Sequence, residues 1–556
     1  MYLSETVLWR EKEVSDANQK NFVYLYLLRH SGWKRNKFRI NNINKLIIIT
    51  AMTKKGLWSK MARLIMLAAP LLAASMPAHA QLRDAMAMPV VEEDSIMKHI
   101  IELSGERYEG RLAGTLGYDE AVEYVERVLR RHGVACTEQR FNIECNEVEN
   151  CKFNIYIPGT KDKRVFTLGN EFCCAGMTGR GYVDAQMVFC GYGIAEQDMD
   201  EYKGVDVQGK IVVILTGLPD GSWLPQNIAQ HYATLRDKAR VAEKHGALGM
   251  LAVNLSPSCL PYEVQGRVYC GELPHLATFP ILQLTLDCGR ELLAGEKMSL
   301  DTAVSVINRT HAPSSFTLLK KAEVDVNAIY RQRAVTANVL GLLEGSDRRM
   351  KDELIVVGAS LDHVGMQGET CLFPGADVNA SGVAAVLETA RLLAQPQYRP
   401  RRSVLFVLFS GSEQLYLGSR IFLANFPQLR KVEAFINVQN IGCGDSIVLL
   451  GDNRYPSLWE IARVRDSANH SLIHRSPEAT NPRGDARGFD AIGIPSLVFT
   501  SLNGLQHNHV PSDIWENIDR RMLTGATQVM VETVRELCDG MYRGRTPKSK
   551  SLKFLE

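Results

Sequence analysis

Two periodicities alternate along the chain. Apolar residues at helical spacing mark Glu92–Leu103, with Ile96, Ile100 and Leu103 on one face. A second helix is predicted over Tyr118–His132, with Ala121, Val125, Val128 and Leu129 in step and Gly133 just past its end. Short apolar runs at Phe141–Glu144 and Phe153–Ile157 predict strands, and Pro158-Gly159 closes that region. Between about Lys161 and His311 glycine is frequent and strands are short (Met187–Cys190, Lys210–Leu215). One helix stands out there, Thr234–His245, followed by the buried strand Gly249–Val253. From Thr336–Leu343 onward strands and helices alternate: Leu354–Ala359, helix Ala380–Leu393, Ser403–Phe409, helix Leu415–Asn425, Val432–Val438, Ser446–Leu450, helix Pro456–Asp466, Ser496–Thr500, helix Asp519–Cys538. Such alternation predicts an α/β fold, a mainly parallel mixed sheet with helices on both faces. Residues 81–160 and 316–542 are expected to form that domain, interrupted by a small β-rich insert at 161–315.

Both ends of the chain lie outside this pattern. Lys54, Lys55, Lys60 and Arg63 precede the apolar run Leu64–Ser75, too short to span a bilayer, and Ala78-His79-Ala80 fits a small-x-small cleavage rule. Residues 52–80 are therefore read as a cleaved signal peptide, giving a periplasmic or secreted protein starting at Gln81, with no membrane span after it. Residues 1–51 resemble no targeting signal and are expected to reflect a start codon placed too early. Residues 543–556, rich in lysine with a proline, are expected to be a disordered tail. The net charge of +2 carries no basic stripe, which argues against nucleic acid as a partner. All 12 cysteines follow residue 80. Export permits disulfides, and Cys145/Cys151 and Cys259/Cys270 would close short loops; no CxxC pair suggests a zinc finger, and connectivity stays open.

Chemistry is expected beyond the carboxyl ends of the parallel strands. The stretches there read GASLDHVG, GADVNASGVAAVLETARLLA, RRSVLFVLFSGSEQLYLGS, AFINVQNIG and HNHVPSDIWENID. Together, in this order, they resemble the zinc-dependent aminopeptidase family (metallopeptidase family 28) that includes glutamate carboxypeptidase II. The resemblance covers roughly Ser95–Ile157 and Val335–Cys538. The insert, with CGYGIAEQDMDEYKGVDVQGKIVVIL and KARVAEKHGALGMLAVN, resembles the protease-associated domain spliced into such peptidases.

The resemblance implies two zinc ions bridged by a carboxylate and a water, each with one histidine and one further carboxylate, and a separate glutamate as general base. Mapped onto this chain, the first ligand histidine falls on Ser360, while the aspartate that orients it is kept as Asp362. The bridging aspartate falls on Val378, the base on Ser412, the adjoining ligand glutamate on Glu413, and a ligand aspartate on Gln439. The second ligand histidine is kept as His509, followed by Pro511 and Asp513. One zinc would thus need Ser360, Val378 and Gln439, and the other would keep only Glu413 and His509. Three protein ligands are usual at a catalytic zinc. Replacing three of four clustered carboxylates also removes the repulsion that a metal-free site would suffer.

Asp377, one residue before Val378, is the candidate substitute ligand, which would give a single zinc on Glu413, His509 and Asp377. His363 and His507 are the other neighbours weighed, with His363 expected at a surface or turn. Ser412 in SGSEQ does not meet the G-x-S-x-G pattern of a serine hydrolase, and Gly191-Tyr192-Gly193 is turn chemistry. Two functions remain. The first is an exported, catalytically impaired homologue without a metal cofactor, binding a peptide or protein in the cleft between the main domain and the insert. The transferrin receptor is a non-catalytic precedent in that superfamily. The second is an active zinc aminopeptidase with a rebuilt site.

Overall fold

The computed structural model describes residues 88–544, except 161, 198, 221–222, 256–267, 269–273, 469–472, 475–480, 505–507, 541 and 543. The leading segment 1–51, the leader 52–80, the Cys259/Cys270 loop, His507 and all of the tail but Gly544 lie outside the described residues.

Twelve strands carry the architecture: β1 (Ala135–Tyr156), β2 (Phe172–Cys174), β3 (Gly181–Phe189), β4 (Ile211–Leu215), β5 (Gly249–Val253), β6 (Ile281–Leu284), β7 (Phe316–Leu343), β8 (Leu354–Ser360), β9 (Ser403–Phe409), β10 (Val432–Val438), β11 (Ser446–Leu450) and β12 (Ser496–Leu502). Eleven of them lie in one sheet in the order β11-β12-β10-β8-β9-β7-β3-β4-β5-β6-β2, and β1 joins it beside β7. Pairing is parallel through β12-β10-β8-β9 and again through β3-β4-β5-β6, so the sheet is mixed and largely parallel.

The long strand β7 joins these two parallel stretches. Its carboxyl end, Val339–Leu343, pairs antiparallel with β9, and its amino end, Phe316–Val326, pairs antiparallel with β3. Strand β1 runs antiparallel along nearly all of β7, from Ala135 opposite Leu342 to Tyr156 opposite Lys321. The sequence pattern breaks both strands into shorter pieces. The reason is local: Asn146, Glu147 and Asn150 in β1, and Arg331 and Arg333 in β7, interrupt the apolar alternation, and β1 carries bulges near Glu144 and Glu149. Residues 161–315 also hold more helix than the pattern marks. Besides Leu235–Lys244 there are Gln226–His231, Leu286–Leu293 and Leu300–Thr310. Thr234, Thr285 and Ser299 accept from first-turn N–H groups of three of these helices, a signal the sequence carries in plain view.

Apolar layers cover both faces. On one side of β8–β10, helices Glu93–Leu103, Leu116–Arg131, Gly382–Leu393 and Arg520–Asp539 pack against Ile355, Val357, Phe406 and Ile436. On the other side Phe409, Phe422, Phe435 and Phe489 close the core. The strands from β2 to β6 pack into two further apolar cores, the larger shared with β1 and β7. The Cys145/Cys151 disulfide does not form: both residues lie on β1 as free, buried thiols. Six residues of extended strand separate them by about 20 Å, far beyond the roughly 7 Å that a disulfide allows between Cα atoms.

Candidate functional site

Three adjacent parallel strands bring the motif residues together. Strands β10, β8 and β9 are neighbours, and their carboxyl ends run into Gln439, into Leu361-Asp362-His363, and into Ser410–Glu413. The small-residue loop following β8 does not open directly into a helix at Asn379. Residues Ala376–Ser381 make a wide turn first, and the regular helix begins at Gly382. Gly375 starts that turn with φ +62°; a Cβ there would lie 2.5 Å from the Val378 carbonyl oxygen and 2.6 Å from the His363 ring.

Arg111 ties the loop to the strand. It is fully buried, and its guanidinium donates to the carbonyl oxygens of Leu103, Leu361 (3.0 Å), Pro374 (2.8 Å) and Gly375 (2.9 Å). Burial pulls its pKa down to about 10. Asn379 stitches the turn to β8 and β10: its amide donates to the carbonyls of Val438 (3.0 Å) and Ser360 (3.4 Å), and its oxygen accepts from the Asn440 N–H (3.0 Å). Asp513 accepts from the N–H groups of Asp377 (2.7 Å) and Val378 (3.0 Å). The backbone frame of the motif is complete.

The side chains divide into two groups. On one side, Ser360 is buried and donates to Asp485 Oδ2 at 2.8 Å. Burial pushes the Asp485 carboxyl up to about 6, against the pull of Ser360 and Ser419. Gln439 packs its carboxamide against Gly484, so closely that a Cβ on Gly484 would sit 2.2 Å from Nε2. The 482–485 turn therefore fills the space beside two of the altered positions. On the other side, His509 Nε2 and Glu413 Oε1 are 2.8 Å apart. Asp362 accepts from the Ser412 N–H at 2.9 Å, and burial, reinforced by the charge of Glu413, pushes its pKa up to about 8. His363 is buried rather than at the surface, with its ring 5.4 Å from that of His509, and burial keeps it neutral.

Asp377 is turned to structural use. Its Oδ1 accepts from the Gly442 N–H (2.6 Å) and the Ser381 hydroxyl (3.2 Å). Burial, with the nearby charge of Asp513, raises it to about 7. Among the described residues, no three or more histidine, cysteine, aspartate or glutamate side chains converge as a metal-binding group. The residues at the strand ends thus do not fit a catalytic zinc, which needs three such donors. Asp485 and Gly484 are the participants that sequence reasoning passed over. The only signal for them was the turn chemistry of Asn481-Pro482-Arg483-Gly484-Asp485.

Residues 338–534 match the family described as Peptidase family M28. Among curated proteins, the chain is 25% identical to human transferrin receptor protein 2 over 418 residues, 64% of this chain and 48% of the receptor. It is 25% identical to leucine aminopeptidase 1 of Trichophyton equinum over 232 residues, 38% of this chain and 60% of that protein. The chain thus spans about half the length of the curated receptor it matches. Among solved structures, it is similar to a zinc aminopeptidase from Bacillus subtilis, with a TM-score of 0.58, 20% identity and coverage of 82% of this chain and 98% of that one. An aminopeptidase from Aneurinibacillus sp. strain AM-1 gives a TM-score of 0.57 at 19% identity, covering 83% and 97%. These structural likenesses establish the shared aminopeptidase fold.

Proposed function

We propose that this chain, a member of Peptidase family M28 through residues 338–534, uses the aminopeptidase fold to bind a peptide or protein and not to hydrolyse it. The observation that carries this reading is the pairing of Ser360 with Asp485 at 2.8 Å where the family resemblance calls for a ligand histidine. Hydrolysis at a zinc site needs an activated water and a base beside it. Here Ser412 holds the base position, and a serine hydroxyl cannot take a proton from water near neutral pH without a partner to activate it. The two groups that could still bind an ion, Glu413 and His509, are hydrogen-bonded to each other. Fold alone does not decide function, so the altered strand ends weigh more than the family's usual activity. A curated relative named as a receptor is in keeping with a binding role.

The bound partner in this reading is a peptide or a protein surface, held between the strand ends and the region built from residues 161–315. Export through the 52–80 leader belongs to the same proposal. A second reading, a zinc aminopeptidase, is favoured by one observation: Glu413 and His509 are adjacent, with His509 buried and Glu413 partly so, as a ligand pair would be. Turnover separates the two. The mature chain from Gln81, supplied with zinc, is assayed on aminoacyl and dipeptide reporter substrates. No turnover above a Glu413→Ala control is expected; turnover lost in that control would favour the peptidase.

A further inference from the structure

Four buried cysteines from three segments meet beside the hairpin that leads into the 375–382 loop. They are Cys151 of β1, Cys173 and Cys174 of β2, and Cys371, whose short strand Cys371–Leu372 pairs with Met366–Gln367. The Cys174 thiol donates to the Cys151 sulfur at 2.9 Å. Cys173 and Cys371 share a small apolar cluster with Val364 and Phe373. Cys145, the nearer cysteine in sequence, belongs elsewhere, packed with Leu112, Ala113, Ile143 and Ala334.

The backbone at Cys174 is held on both sides. Its N–H donates to Gln367 Oε1 at 2.8 Å, and its carbonyl accepts from Gln367 Nε2 at 3.0 Å. Gln367 lies in the hairpin, and its neighbour Gly368 donates its N–H to the Val148 carbonyl of β1 at 2.8 Å. Strands β1 and β2 are not hydrogen-bonded neighbours in the sheet; they meet through side chains, the Cys151 and Cys174 sulfurs and the edge-on rings of Phe153 and Phe172.

We propose that Cys151 and Cys174 are a disulfide-forming pair that fastens β2 to β1 behind the site loop when the chain folds in an oxidising compartment. The sulfurs must close by less than about 1 Å to reach the covalent length of about 2.05 Å, and both side chains already face each other. In the step, two S–H bonds break and one S–S bond forms. The two electrons and the two protons pass to an external disulfide, whose S–S bond breaks to give two thiols. Burial holds the Cys174 thiol far above the usual thiol range and pushes Cys371 up to about 12. Thiolates are therefore scarce once these strands have closed, which places the exchange during folding and makes the folded thiols slow to scramble.

The full chain, produced in an oxidising compartment, is denatured in iodoacetamide without reductant and digested with trypsin. Cys151 then lies on the 141–152 peptide and Cys174 on the 165–180 peptide. The expected product is these two peptides joined, two hydrogens lighter than their sum, and separated by reductant. Each carries a second cysteine, so a Cys145→Ser, Cys173→Ser double variant decides the assignment. The link must persist there and vanish when Cys174→Ser is added. Recovery of both peptides fully alkylated from the wild-type chain, or a link that survives Cys174→Ser, would overturn the proposal.

Discussion

The two sides of the strand-end cleft are built differently. On one side Ser360 donates to Asp485, and Gln439 packs against the Gly484 turn. On the Glu413 and His509 side the old residues remain and turn toward each other at 2.8 Å. The first side thus holds one buried hydrogen bond beside the packed Gln439. The second holds the Glu413 and His509 pair. Loss of ligands alone would leave buried polar groups without partners, each costing about 1–3 kcal/mol. Glu413 and His509 satisfy each other as they stand.

Changes that undo this difference should have effects graded by how much of the frame they touch. The largest is expected from restoring the whole ligand set, Ser360→His, Val378→Asp, Ser412→Glu and Gln439→Asp together. Zinc measured by metal analysis should rise from a small fraction of an ion per chain toward two. The Asn379 and Asp513 hydrogen bonds that hold the loop are already in place to receive it. Removing the frame shared by both sides comes next. Arg111→Ala leaves four buried carbonyl oxygens without their donor and should cost about 3 kcal/mol or more in denaturant unfolding.

A smaller pair of changes compares the sides directly. Ser360→Ala takes a hydrogen bond from the buried Asp485 carboxyl and should cost about 1–3 kcal/mol. Glu413→Gln keeps an acceptor for His509 and should cost less than about 1 kcal/mol. Equal losses would remove the distinction between the two sides.

A further effect is on pH dependence. Asp362, Asp377 and Asp485 have folded-state pKa values raised to about 8, 7 and 6. For an acid, a raised folded pKa means that the folded state holds its proton more tightly than the unfolded chain does. Their contribution is therefore full below about pH 4 and is lost as pH rises toward 8. Melting temperature should fall across that window, and Asp485→Asn should flatten the portion below about pH 6.

Much of this was legible from residue order. The alternating strands and helices after Leu354, and the positions of Ser360, Val378, Ser412 and Gln439 at strand ends, can be read directly because apolar runs and small-residue turns are local signals. What replaced the lost residues was not legible. Asp485 lies 125 positions from its partner Ser360, and no local pattern relates them. The full lengths of β1 and β7 were hidden for a similar reason. Their polar stretches, such as Asn146-Glu147 and Arg331-Gln332-Arg333, are held as strand by mutual pairing and not by their own alternation. The cysteines show the same limit: spacing pointed to Cys145 with Cys151, while the fold sets Cys151 against Cys174.

Whether the strand ends hold a catalytic zinc is read directly from metal content. The mature chain is loaded with excess zinc, dialysed, and its metal counted per chain. The account predicts well under one zinc per chain, unchanged by Glu413→Ala. One or more zinc ions per chain, lost on Glu413→Ala and on His509→Ala, would contradict it.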